Sequence, residues 1–548
     1  MASKKALLGG ATIKVENMSG FDKSALNAFT APLGAIVPIR KQLCIPGNFN
    51  LKVKLSATLP PLATDSFLRT HLKVEAFLVP MRICYGGFSS WFSGTSVWGT
   101  SGLQRAKLPR LVFRSTAGTA SATERQTNID TYLGAHSLAD YFDIHLPVGS
   151  NGKVTYTSGS PDVRVNIFPF VAYQLCFNEW YRNKLIERQL FAPLANNTAS
   201  SREVTHLPYT SYTAIKDFNF DVGQTNPTSE VTLLYNHLLT LQYRNYGEDY
   251  FTTSLPSAQE GNPVSVDTSS GSFTISALRN QNALQHFAEI NALASPDYVA
   301  TNKARYGVDL PDRVAQKPIL LGSADFPMYS SGVEQTAQGS GTGTTNPFGG
   351  VGARYGRAHA EGSDFVANFR VSEPSYLMVM ASLVPEASYT NGIPKDMKIF
   401  TEEGSLVDLP VASLEQTGFE PVMSQEVSGS PSDQYVFGYQ PRYMWHKAGP
   451  LNTVHGLLRK GMSLGSFAVQ RGPSGSSAIS TNFLKVAPTD LDNVMAVSGS
   501  LSQYGVIVDS SVELYCSEPL GESKLPSLAD PAEEHGKSVY LRRGGTGV

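Results

Sequence analysis

The chain has 548 residues, of which 44 are Lys or Arg and 46 are Asp or Glu, giving a formal net charge of −2. Charged residues make up only 16% of it, against about 25% in ordinary soluble domains, while a hydrophobic share of 41% supplies ample core and excludes a disordered polymer. The near-neutral balance excludes a protein that grips nucleic acid by bulk basicity, no apolar run approaches the ~18 residues of a bilayer span, and 48 Gly with 33 Pro favour a turn-rich β chain over a helical bundle.

At the N-terminus, Lys4 and Lys5 precede only a stub of apolar sequence, too short for a secretory leader. Leu51–Leu59 alternates apolar and polar residues with period two and predicts a strand with one buried face. Leu72–Val79, closed by Pro80, and Val163–Ile167 predict two more. Between Phe170 and Leu190, Phe170, Tyr173, Phe177, Trp180 and Tyr181 recur at helical spacing, which predicts a helix with Trp180 on its core stripe. Ser276–Ala294 reads as a second helix, ended by Ser295 and Pro296. Tyr376–Val384, Gln434–Tyr439 and Gly505–Cys516 predict strands, the last with a break at Asp509 and Ser510. Long Gly/Ser/Thr-rich loops are expected at Ser93–Thr100, Ser115–Thr123, Gly149–Pro161 and Gly332–Gly356. No repeat and no linker divides the chain, so it reads as one β core carrying large insertions.

A surface poor in charge is costly to leave in water. Interface cores lose Lys, Glu and Asp and gain aromatics, and this chain has 24 Tyr and 27 Phe. A subunit that buries much of its surface against copies of itself fits that composition; an extracellular protein with a Ser/Thr/Asn-rich surface fits it equally. Cys44, Cys84, Cys176 and Cys516 are widely spaced, forming neither a disulfide framework nor a zinc knuckle, and read as small core residues of a protein made in a reducing cytoplasm.

The search for chemistry yields no catalytic constellation. Gly461–Gly465 matches G-x-S-x-G around Ser463, yet no helix follows and the one later histidine is His535. The glycines from Gly339 to Gly350 lack the G-x-x-x-x-G-K-[ST] pattern of a phosphate loop, follow no hydrophobic strand and lead into no obvious helix. His237, His286 and His446 sit among apolar or aromatic neighbours and read as structural, and no metal site or cofactor is assigned. Basic groups that could meet phosphates are Lys4, Lys5 and Lys14 at one end, Lys537, Arg542 and Arg543 at the other, and Arg354, Tyr355 and Arg357 between them. Trp91 and Trp98, in Gly/Ser-rich sequence, are candidates for subunit contact.

Several segments resemble one family. Phe168–Arg182 (FPFVAYQLCFNEWYR) resembles the P-F-x-A-Y-x-x-x-x-N-E-W-[FY]-R segment of the major capsid proteins of microviruses, the small circular single-stranded DNA phages. Asp249–Gln259 is similar to that family's D-Y-F-T-S-x-L-P-x-x-Q, and Tyr306–Asp312 with Gln316–Pro318 and Leu321–Gly322 to its G-V-x-x-P-D…Q-x-P-x-x-L-G. Phe437–Arg442 with Val454–Leu457 is similar to F-G-Y-Q-x-R…G-L, and Leu33–Pro38, Pro46–Phe49 and Phe77–Arg82 loosely fit the pattern near its start. The resemblance implies a mainly β chain: a single viral jelly roll, an eight-stranded antiparallel sandwich, over 1–548 with long insertions and a few helices, an N-terminal arm to about 33 and a C-terminal tail from about 518. It implies a T=1 icosahedral homo-oligomeric shell around circular single-stranded DNA, found in the virion and assembled in the host bacterial cytoplasm, with no enzymatic activity and no membrane. Its implied partners are a small basic DNA-packaging protein, a DNA pilot protein and a host receptor. Only Glu260–Ser272 follows the D-Y-F-T segment before the next expected helix, which departs from the long insertion of the gokushovirus branch. The reading from another class is a phage spike or other β-rich receptor- or glycan-binding protein.

Overall fold

The computed structural model describes residues 19–67, 69–85, 88–93, 98–99, 102–103, 108, 110–114, 129–146, 163–187, 217–221, 238–258, 276, 279–280, 283–284, 298–311, 314, 316–334, 354–390, 392–398, 418–428, 435–471 and 478–519. Ten strands build its centre: β1 (Ser19–Asp22), β2 (Ala25–Ala31), β3 (Val37–Cys44), β4 (Gly47–Thr58), β5 (Thr70–Pro80), β6 (Ile319–Pro327), β7 (Tyr329–Glu334), β8 (Arg354–Val371), β9 (Ser375–Pro385) and β10 (Val506–Glu518). One sheet has the order β1-β10-β4-β8-β7, with β2 also on β10; the other has the order β6-β5-β9-β3. Every pairing among these strands is antiparallel.

The chain runs out through β3, β4 and β5 and returns through β6, β8 and β9. The nested pairs β3·β9, β4·β8 and β5·β6 make one antiparallel ribbon. Winding that ribbon places successive strands in opposite sheets, the construction of a jelly roll. The mainly β antiparallel sandwich that the sequence motifs imply is therefore present.

The core follows from side-chain alternation. In β4, Phe49, Leu51, Val53, Leu55 and Ala57 are buried while the intervening residues face outward. They meet Val508, Val512 and Leu514 of β10 and, from the other sheet, Leu72, Val74, Leu377 and Val379. Each fully buried Val or Leu contributes about 1.5–3 kcal/mol relative to exposure. The strand β9 differs: all eleven residues of SYLMVMASLVP are buried. Its Leu377, Val379 and Leu383 face the inter-sheet core, and its Tyr376, Met378 and Met380 face a second core capped by the helix Phe168–Cys176. A strand covered on both faces reads as a continuous apolar run, which is why Tyr376–Val384 was legible.

Three sequence expectations change. The expected break at Asp509 and Ser510 is absent: β10 keeps its alternation through both, and the buried Ser510 hydroxyl donates to the Asn27 carbonyl at 3.1 Å. The helix expected over Phe170–Leu190 spans Phe168–Cys176, continues as a π-helical turn over Phe177–Tyr181, and stops at Arg182 in extended backbone. The Arg182 guanidinium bonds the Asn178 and Glu187 carbonyls at 3.3 and 2.6 Å, satisfying acceptors that a continued helix would have used. The wider turn rotates Trp180 off the core stripe, leaving it 36% exposed. The Gly332–Gly356 stretch supplies two strand ends rather than a loop at its margins, with Gly332 opposite Gly356 and Glu334 opposite Arg354. Glycine is needed at 356 because a Cβ there would run into the Thr64 carbonyl. Of Ser276–Ala294, the described residues Ser276, Arg279, Asn280, Ala283 and Leu284 are helical, and the rest lies outside the described residues.

Candidate interaction surfaces

The segments singled out in the sequence converge. In the helix Phe168–Cys176 every side chain is buried, so its two polar residues must find internal partners. The Tyr173 hydroxyl donates to the Ile36 carbonyl at 2.8 Å and accepts from the Gln242 N–H at 3.0 Å. Gln174 donates to the Leu238 and Thr240 carbonyls at 3.1 and 2.8 Å and accepts from the Gln242 side chain at 3.0 Å. Together they fasten 238–242 to the start of β3. A few residues on, the Arg244 guanidinium pairs with the mostly buried Glu75 of β5 at 2.7 Å, and the Tyr181 hydroxyl donates to the other Glu75 oxygen at 2.9 Å. Burial, then the Glu75 carboxylate, holds the Tyr181 phenol well above its ordinary pKa, so it stays a donor.

The D-Y-F-T and F-G-Y-Q segments meet directly. Asp249 accepts from the N–H groups of Phe251 and Thr252 at 2.8 Å each, a local turn, and its second oxygen accepts from the Tyr389 hydroxyl at 2.7 Å. Gln440 donates to the Tyr250 carbonyl at 2.6 Å and the Thr253 hydroxyl at 2.8 Å. Leu255 and Tyr439 exchange both backbone hydrogen bonds, at 2.8 and 2.7 Å. Gly438 allows this approach, since a Cβ there would lie 2.8 Å from that of Ser254. These segments are therefore joints that hold insertions to the sandwich. The polar residues that do the joining, Tyr173, Gln174, Asp249 and Gln440, were not singled out as functional; a Tyr-Gln pair inside an apolar helix was the available signal.

Among the described residues, no catalytic geometry accompanies them. Ser463 is exposed and precedes a single 3-10 turn at Gly465–Phe467, without the strand and helix of a nucleophile elbow. Among the described residues no group of three or more His, Cys, Asp or Glu could hold a metal. All four cysteines are buried and free. Burial drives the Cys44 thiol up to about 12 and pushes Cys84 and Cys176 well up too, which leaves protonated, unreactive thiols.

The candidate contact residues divide. Trp91 is half-buried, packs at a tilt against Phe88 with ring centroids 5.7 Å apart, and lines an apolar groove of about 580 Å³ together with Leu43, Phe92, Phe168 and Tyr376. Trp98 opens a two-residue strand paired with Gly102–Leu103. Tyr355 is half-buried and Arg357 exposed on β8. His446 is exposed beside Trp445, not enclosed. Lys4, Lys5, Lys14, His237, His286, His535, Lys537, Arg542 and Arg543 lie outside the described residues, as do 115–128, 149–161 and 260–272.

A different feature stands out on the surface. Leu26, Phe67, Phe92, Tyr298, Tyr306 and Tyr329 are each at least 60% exposed. A lone soluble protein keeps such groups scattered and few.

Comparison with known proteins agrees with the motifs. A family model described as capsid protein (F protein) matches residues 11–272 and 263–528. Capsid protein VP1 of Chlamydia phage 1 is 23% identical over 93% of this chain and 95% of its own length. Capsid protein VP1 of Spiroplasma virus 4 is 22% identical over 90% and 92%, and that of Bdellovibrio phage phiMH2K 22% over 59% and 63%. With all its described residues inside the span of the family match, the chain belongs to the F-protein family of phage capsid proteins.

Proposed function

We propose that this capsid protein closes into a T=1 icosahedral shell around circular single-stranded DNA, with binding free energy as its only output and no catalysis. The observation that carries the reading is the contrast between a core completed within one chain and large apolar side chains left bare on a surface of low charge. Copies of the chain would cover those groups. Contacts that are individually weak then become collectively strong once the shell closes. A subunit of net charge −2 cannot neutralise packaged phosphate in bulk. Counterions or a small basic packaging protein must supply that charge, with a DNA pilot protein and a host receptor as the remaining partners. Local DNA contacts are assigned to Lys4, Lys5, Lys537, Arg542 and Arg543, and subunit contacts to Trp91 and Trp98. Assembly would take place in the host bacterial cytoplasm, and the product is the virion shell.

Electron microscopy and static light scattering of the expressed chain test the reading. Uniform closed shells are expected; a stable monomer or small oligomer would support a spike-like protein and sink it. Trp98→Ala should lower shell yield with the subunit still folded. Truncation after Pro531 should lower the DNA content of filled particles, and unchanged content would remove the tail from the DNA contacts.

A further inference from the structure

The outer face of the sheet that holds β4, β8 and β10 gathers one kind of chemistry at one end. Asn48 and Asn50 of β4, Asn368 and Arg370 of β8 and Tyr515 of β10 are all exposed, and together they line a groove of about 580 Å³. Register brings them side by side: Asn50 lies opposite both Asn368 and Tyr515, and Asn48 opposite Arg370. Asparagine is depleted in strands, so three at adjoining strand positions break the local rule, and such breaks concentrate at functional positions. The Asn50 amide donates to that of Asn368, whereas Asn48 and Arg370 have no side-chain partner among the described residues.

Charge on this face is uneven. Around the groove Lys52, Lys54 and Arg370 stand against Asp22 and Glu513, an excess of one cation, and Glu513 is already bound to Lys54 at 2.6 Å. Toward the other end Arg357 is outnumbered by Glu361 and Asp509. The described chain also enters and leaves the sandwich beside the groove: Ser19, the first residue of β1, pairs with Glu518, the last of β10, next to the row of Ser517, Asn48 and Arg370. The segment before Ser19 holds Lys4, Lys5 and Lys14 against a single acid, Glu16. The residues after Glu518 balance in charge, with Lys537, Arg542 and Arg543 lying beyond the last acid, Glu534.

We propose that this groove binds a short stretch of single-stranded DNA, with the Tyr515 ring stacking on a base, the Asn48, Asn50 and Asn368 amides meeting base edges, and Arg370 meeting a phosphate. The proposal rests on the shell reading above and gives its DNA a defined place on the subunit. Bases suit the groove because a side-chain amide offers a donor and an acceptor together, as base edges do. A second copy of the chain would have to supply a partner for each of these polar groups or leave it buried and unpaired. The cationic segment that joins at Ser19 likewise favours a polyanion over another subunit of net charge −2.

Fluorescence anisotropy of a labelled oligothymidylate of about 10 nucleotides, titrated with full-chain subunits released from shells, tests the groove. Tyr515→Ala should weaken binding about 10-fold, while Tyr515→Phe, which keeps the ring, should stay within about 2-fold of the parent. Arg370→Gln should weaken binding and lower the salt slope by about 1. These residues are exposed, so the subunit's melting temperature should hold. Parent-like affinity in both Tyr515→Ala and Arg370→Gln would overturn the proposal. In particles, Tyr515→Cys provides a thiol where all four native cysteines are buried; it should react with a maleimide in DNA-free shells and be shielded in DNA-filled ones. Shielding in both would place a neighbouring copy or the chain's own end in the groove and overturn the proposal. A chain that makes no DNA-containing shells removes the shell reading and this site together, whereas filled shells in which Tyr515→Cys stays reactive remove the site alone.

Discussion

Removing one oxygen atom tests how the buried helix is held. In Tyr173→Phe the ring keeps its packing among the second core, and only the hydroxyl is lost. That hydroxyl is the hydrogen-bond partner of both the Ile36 carbonyl and the Gln242 N–H, in a site with no exposure to solvent. Two net hydrogen bonds account for about 1 kcal/mol each, and the orphaned N–H adds desolvation cost, so the loss comes to about 2–4 kcal/mol. For a cooperative unit of about 500 residues, an unfolding entropy near 1 kcal/mol/K converts this into a fall of about 2–4 °C in melting temperature. Differential scanning calorimetry of unassembled subunits provides the assay. Tyr515→Phe, on a half-exposed residue of β10, is the control and should shift the midpoint by less than about 0.5 °C. Hydrogen exchange should also quicken at 238–242, where the helix fastens the chain. A Tyr173→Phe midpoint indistinguishable from the parent would refute the idea that this hydroxyl joins helix to sheet.

Other perturbations have equally definite expectations. Burial, only partly offset by Lys395, raises the Glu426 carboxyl above its ordinary pKa, so the folded state binds its proton more tightly and the residue's contribution to stability declines as pH rises from 4.5 through the folded pKa. Glu426→Gln should therefore raise the subunit's melting temperature at pH 7.5, with the gain shrinking toward pH 4.5; a variant less stable at pH 7.5 would contradict this. Gly438→Ala should cost about 1–3 kcal/mol by urea titration, because the added methyl meets Ser254. Trp91→Ala should cut shell yield in sedimentation assays while leaving the subunit's circular dichroism unchanged.

Legibility in the sequence followed the strength of the side-chain pattern. Leu51–Leu59 and Tyr376–Val384 were readable because large apolar residues occupy most of their buried sites. The longest strand, β8, was not, because its inward positions over the first half are Ala358, Ala360 and Gly362, too small to register as a hydrophobic face. A register shift between Gly362 and Phe365 then breaks the phase. The helix was extended too far because Trp180 fits a 3.6-residue period that the π-helical turn abandons. The motifs that carry the family were legible as words, but their work was not: Gln440 and Thr253 are 187 positions apart.

The ribbon's winding also sets a timetable for synthesis. The strand β4 lies between β8 and β10, so its two flanks are filled by residues 354–371 and 506–518. At about 5–20 residues per second, the wait from Thr58 to Glu518 lasts roughly 25–90 s. Until then its hydrogen-bonding edge is open to any strand nearby. A competent subunit thus comes into being only when β10 emerges from the ribosome, and no partial chain can offer neighbours a finished surface to build upon.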